Sequence, residues 1–134
     1  FGLGFAFYLC SCTTRAKRFC CIVEIRFMKK VQVKSFLPKD EYLWHFDMLK
    51  DSARNSAYAK AIEKVLQTHP ETKYGRWLDI GTGSGLLASL ACLKGAKNVF
   101  ACETVHELAQ VAKETFRVNN FPVTLLECHS TDIP

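Results

Sequence analysis

The chain has 134 residues, 49% of them apolar and 23% charged, with 12% aromatics and a formal net charge of +5. That is one globular domain at most, and it is too rich in apolar residues to be disordered or fibrous. Residues 1–40 carry eight Lys or Arg against two acids, and residues 41–134 ten against eleven. The basic character therefore belongs to the N-terminal segment, and no direct nucleic-acid partner is expected, because such an interface needs basic residues clustered on one folded face.

Four of the seven cysteines, Cys10, Cys12, Cys20 and Cys21, fall in the first 21 residues with no CxxC pair and no nearby histidine. Neither a disulfide framework nor a zinc site is supported, and no metal is expected. Cys92, Cys102 and Cys128 sit in apolar stretches, where a free cysteine acts as a small buried hydrophobe. A reducing setting, cytoplasmic or nuclear, fits best. The apolar run over residues 1–10 is too short to span a bilayer, and the basic Arg15, Lys17 and Arg18 follow it, whereas a signal peptide places them before its apolar core. It reads as neither anchor nor signal, and no membrane partner is expected. The first methionine is Met28, so the chain reads as a fragment or as a gene model with untranslated sequence ahead of a start at Met28, and a genuine basic extension stays open beside these. Residues 1–40 are accordingly set apart as a basic, cysteine-containing segment, with disorder and absence from the native product both left open. Residues 41–134 are read as the folded part.

Pro38 and the charged Lys39-Asp40-Glu41 mark the boundary. Beyond it Leu49, Ala53, Ala57, Ala61, Ile62, Val65 and Leu66 recur at helical spacing and predict helix over 41–67, with Asp51 as a candidate break. Residues 69–75 read as a polar turn. A short apolar strand over 76–80 then runs into a glycine loop. Leu86, Leu87, Leu90, Ala91 and Leu93 make an amphipathic helix that Gly95 is placed to end. A second strand spans 98–102. Thr104 and Glu107 form a capping-box pattern for a helix from Val105 to Asn119 or Asn120, striped by Leu108, Val111, Ala112 and Phe116. Pro122 introduces a third strand over 123–128. The order is the first half of a doubly wound, Rossmann-like α/β sheet. Three parallel strands leave an open edge and cannot have both faces covered, so an incomplete structure is expected.

The loop Asp79-Ile80-Gly81-Thr82-Gly83-Ser84-Gly85 lies between strand and helix, where glycines let a ligand approach the backbone. Its spacing is GxGxG, and leucine at 86 departs from the dinucleotide GxGxxG. Asp79 beside it disfavours pyrophosphate and welcomes a cation. These features favour S-adenosyl-L-methionine, whose sulfonium is positive and which carries no phosphate. Glu103, at the end of the second strand, is placed to accept both ribose hydroxyls. Its bland alternative is a solvated carboxylate capping the next helix.

At this point Trp44-His45-Phe46-Asp47-Met48-Leu49-Lys50-Asp51-Ser52-Ala53-Arg54-Asn55, with the glycine loop and Val99-Phe100-Ala101-Cys102-Glu103, resembles the N-terminal part of the protein arginine methyltransferases, nearest their 7/9 branch. The match runs from residue 41 to the end. The glycine loop alone would name only the broad methyltransferase fold; the MLxDxxRxxxY helix is far more specific. The resemblance implies an S-adenosylmethionine-dependent enzyme that methylates a guanidinium nitrogen of a protein arginine, of unspecified oligomeric state. It implies that Arg54 holds the cofactor carboxylate, that Asp79, Gly81, Gly83 and Gly85 shape the methionine and ribose end, and that Glu103 takes the ribose. It places Thr131 and Asp132 at the adenine amino group and Met48 as lining the active site, and His45 occupies a histidine position seen in some members. Outside this motif Met48 would be read as core, Arg54 as a solvated helix charge, and Tyr58 is read as packing against the sheet. The family's tyrosine-bearing lid helix is interrupted here by Pro38, with Phe36, Tyr42 or Trp44 as substitutes. The paired glutamates that grip the substrate in this family would follow Pro134, so the chain alone is expected to be inactive. Two rival readings are a nucleotide (NAD)-dependent oxidoreductase half-domain and a non-catalytic methyltransferase-like interaction module.

Overall fold

The computed structural model describes residues 43–133. The segment 1–40, the lid substitutes Phe36 and Tyr42, and the Trp44 side chain lie outside what is described. The elements are α1 (Leu43–Lys50), α2 (Ser52–Thr68), a 3₁₀ turn (Pro70–Tyr74), β1 (Arg76–Ile80), α3 (Leu86–Lys94), β2 (Asn98–Cys102), α4 (His106–Asn119), β3 (Val123–Leu126) and a closing 3₁₀ turn (Ser130–Asp132).

Asp51 does break the first helical stretch. Its Oδ1 accepts the Arg54 N–H at 2.9 Å and so caps α2, while its own N–H donates to the Met48 carbonyl at 3.3 Å. The buried face of α2 is not the alanine line expected from the sequence. Ala53, Ala57 and Ala61 face solvent, and the helix buries Asn55 and Ala59, with Ile62 packed on the core. Asn55 is two residues, or about 200°, around from Ala53, and its buried amide is satisfied by hydrogen bonds that an apolar pattern does not reveal.

In α4 the expected stripe is the buried one: Leu108, Val111, Ala112 and Phe116 all lie inside. The capping box does not form. Val105 occupies the N-cap position with no side-chain bond, and the free donors there go to Glu103, whose Oε1 accepts the N–H groups of Thr104 and Val105, each at 2.9 Å.

Among the described residues the three strands form one parallel sheet in the order β1-β2-β3. Val99 and Ala101 of β2 pack with Ala88 and Ala91 of α3 and Ala112 and Phe116 of α4, so both helices cover the same face. The alanines permit this close approach of helix to sheet. The opposite face keeps Leu78 and Ile80 of β1 exposed. β3 ends two residues earlier than its apolar run suggests, because after Leu126, whose carbonyl accepts the Glu103 N–H, the side chain of Glu127 turns to His106 and Gln110 of α4. No helix among the described residues is long and apolar enough to cross a membrane.

Candidate functional site

The glycine loop bends back over the end of β2. The N–H groups of Gly81 and Thr82 both donate to the Cys102 carbonyl, at 2.9 and 3.0 Å, which places the loop beside Glu103. Gly85 caps α3 in the left-handed conformation with no side chain to offer the helix donors. Asp79 supplies what is missing: its Oδ2 accepts from the Thr82 hydroxyl at 2.7 Å and from the Ala88 N–H at 3.1 Å. Burial raises the Asp79 carboxyl above its ordinary range; the Thr82 and Ala88 hydrogen bonds pull it back, and the neighbouring charge of Glu103 adds to the rise. Glu103 reaches across in turn, its Oε2 accepting the Gly83 N–H at 2.8 Å.

Where α1, the loop and the strand ends meet, a cavity of about 370 Å³ opens. Its polar walls include Arg54, Asp79, Thr82 and Glu103, and its apolar walls are Met48 and Leu49 of α1, Leu86 and Leu87 of α3, and Val105 and Leu108. His45 is buried beside them. The ring sits where a side chain at position 83 would stand: a Cβ on Gly83, whose φ is +56°, would lie 2.6 Å from His45 Cε1. Burial lowers the His45 pKa below 6.5, Glu103 opposing that shift and Arg54 adding to it.

Of the residues singled out from the sequence, Met48, Arg54, Asp79, Gly81, Gly83 and Glu103 all line this one cavity. Gly85 does not; its missing Cβ admits Phe116, whose Cε1 would lie 2.6 Å from it. Thr131 and Asp132 stand apart on the exposed turn after β3, hydrogen-bonded to each other at 3.0 Å. Tyr58 does not pack against the sheet. Its exposed ring lies under the Arg54 guanidinium, 5.0 Å from centroid to carbon, the contact that i,i+4 spacing on a helix allows. The sequence ties His45 only to a family position and does not single out Thr82 as a site residue. The former shares a face with Met48 and Leu49 at i+3 and i+4, and the latter answers Asp79. Cys102 is buried and Cys92 half-buried, its thiol pushed up to about 11 by burial, so both are the inert hydrophobes their surroundings suggest.

The family model described as ribosomal protein L11 methyltransferase (PrmA) matches residues 56–133, more than half of the chain. Protein arginine N-methyltransferase 9 of Mus musculus is 38% identical over 92 residues, 67% of this chain and 10% of its own length. The chain belongs to the methyltransferase family that the PrmA model describes. Protein arginine N-methyltransferase 7 of Aedes aegypti is 37% identical over 90 residues, 65% of this chain and 13% of its own. A Streptomyces achromogenes arginine N(omega)-methyltransferase is 44% identical over 70 residues, 52% of this chain and 18% of its own. The crystal structure of PRMT6-SAH superposes with a TM-score of 0.57 at 29% identity, covering 66% of this chain and 25% of that one. The fold is thus the incomplete Rossmann-like fold of the methyltransferase family. The chain spans only about a tenth of the length of the mouse relative.

Proposed function

We propose that this chain is the cofactor-holding part of an arginine methyltransferase, which transfers a methyl group from S-adenosylmethionine to a guanidinium nitrogen of arginine in a protein. One observation carries the reading: a single cavity, in a chain of this family, gathers Arg54, Asp79 and Glu103 around a glycine loop. The residues fit the cofactor. A guanidinium suits its carboxylate, two acidic side chains suit its cationic centres and ribose diol, and the apolar walls suit the remainder; the volume lies within the usual range for a small-ligand site. The same two carboxylates would repel the pyrophosphate of NAD.

When bound, S-adenosylmethionine supplies the electrophilic methyl group. The chain's own residues bind and orient. Arg54 would hold the amino-acid carboxylate, Glu103 the ribose, Gly81 and Gly83 the close backbone approach, and Thr131 and Asp132 the adenine end. Asp79 ties the loop to α3, and Met48 with Leu86 and Leu87 excludes water from the reacting end. The three described cysteines are free thiols, which supports a reducing compartment, cytoplasmic or nuclear.

The Streptomyces relative's name points to arginine itself as an alternative acceptor. The test uses the full-length protein: calorimetric titration with S-adenosylhomocysteine in the presence and absence of NAD, then transfer of labelled methyl to an arginine-rich peptide, its lysine counterpart and free arginine. Binding unaffected by NAD and transfer to the arginine peptide alone is the expected result. Transfer to free arginine alone would move the substrate class; binding without transfer to any acceptor would make the protein a non-catalytic module; NAD competition would overturn the reading.

A further inference from the structure

Among the described residues lining the cavity, Arg54 is the one Lys or Arg, and its guanidinium is held by its own helix. Nη1 donates to Asn55 Oδ1 at 3.1 Å, and the guanidinium carbon lies 5.0 Å from the centre of the Tyr58 ring. Neighbouring residues on a helix point about 100° apart and do not ordinarily meet. The bond to Asn55 therefore requires Arg54 to curl back along α2, and the Tyr58 ring gives the curled guanidinium a surface to lie on.

Asn55 has a second duty. It is 4% exposed, and its Nδ2 donates to the Leu49 carbonyl at 2.9 Å. That carbonyl belongs to the last turn of α1, where no intrahelical N–H remains to bond it. Leu49 and its neighbour Met48 line the cavity into which Arg54 also reaches. One planar amide thus ties the helix that supplies the apolar wall to the side chain that supplies the positive charge. An aspartate at 55 lacks the donor, a leucine lacks both groups, and a glutamine places them one carbon farther out.

The geometry assigns Asn55, aided by Tyr58, as a positioning residue for Arg54. It orders the guanidinium before any ligand arrives, and so raises affinity for a ligand that presents a carboxylate there. The assignment rests on the role proposed above for Arg54.

Two probes separate positioning from general support. S-adenosylhomocysteine carries the amino-acid carboxylate; methylthioadenosine is the same thioether nucleoside without it. In the full-length protein, Asn55→Leu is expected to raise the Kd for S-adenosylhomocysteine about tenfold, as for loss of a hydrogen bond to a charged group, and to leave methylthioadenosine within about twofold. Tyr58→Leu changes an exposed ring and is expected to cost about threefold, again for S-adenosylhomocysteine only. In an Arg54→Ala background neither substitution should add anything. Equal weakening of both ligands, or full additivity with Arg54→Ala, overturns the assignment. If Asn55→Leu does not fold, Tyr58→Leu decides by the same ratio of affinities, and an unchanged ratio overturns it. A wild-type protein that binds neither probe instead overturns the proposed function, and one that binds both equally overturns the role of Arg54; either removes the assignment with it.

Discussion

Glu103 is 7% exposed and already accepts the N–H groups of Gly83, Thr104 and Val105. A carboxylate offers about four acceptor positions, so the residue that knots the loop to α4 is nearly filled by the fold, and the ribose role proposed above competes for what is left. Glu103→Ala leaves three backbone donors without their acceptor. We expect it to weaken S-adenosylhomocysteine binding at least about tenfold and to lower unfolding free energy by about 1–3 kcal/mol. Glu103→Gln keeps the size and one acceptor oxygen but turns an NH2 donor toward the N–H groups that the other oxygen served, and should recover part of the stability and little of the binding. An unchanged dissociation constant by calorimetry in both variants would remove Glu103 from the site. His45 makes a pH prediction. Its folded pKa lies below 6.5 because of burial, with Glu103 on one side opposing the shift and Arg54 on another reinforcing it. A base held neutral by the fold contributes stability that is complete above 6.5 and is lost as pH falls from there through the lowered folded value. Urea titrations of wild type and His45→Gln across that window should show a steeper acid loss in wild type; parallel curves would mean that His45 protonates as freely in the fold as outside it.

At the scale of elements, the loop between β1 and α3 is shaped by what stands behind its glycines. Gly85 has φ +88°, and an added Cβ would meet the Phe116 ring at 2.6 Å, with Ala112 close behind. Gly85→Ala therefore combines left-handed strain, about 1–2 kcal/mol, with overpacking against a buried ring, about 1–3 kcal/mol. Denaturant unfolding should show a loss of at least about 2 kcal/mol, and Phe116→Leu in the same chain should return part of it; a neutral Gly85→Ala would mean that α4 shifts freely. Nothing in the sequence joins positions 85 and 116, which lie on different elements, so the packing role of Gly85 was illegible there. What was legible came from local periodicity and punctuation. Gly95 ends α3, the apolar stripe of α4 is the face it buries, and the first helical stretch breaks at Asp51. The structure departs from the pattern where a side-chain hydrogen bond overrides it. Asn55 is polar and is inside; Thr104 has a capping residue's chemistry, but Glu103 took the donors. The cavity was readable where its residues lie close along the chain. An aromatic residue on a helix beside a sheet is expected to pack on it, and so Tyr58 is misread: its ring is exposed under Arg54 instead.

At the scale of the molecule, the described residues clad the sheet on one side. Two successive right-handed crossovers that advance in the same direction along a parallel sheet put both helices on one face, and α3 and α4 share it here. On the other face Leu78 is 49% and Ile80 62% exposed, and β1 has no neighbour on its outer edge among the described residues. An apolar strand edge of this kind is a template for association. We expect the 134-residue chain on its own to self-associate, and Leu78→Thr with Ile80→Thr to reduce light scattering without altering the cofactor cavity, since neither residue lines it. Threonine keeps the β-branched shape that a strand favours, so β1 should persist. In the full-length protein the same pair tests whether that face is covered by further chain. A loss of about 1.5–3 kcal/mol for each buried side chain would mean that it is, whereas an unchanged stability would mean that Leu78 and Ile80 face solvent there too.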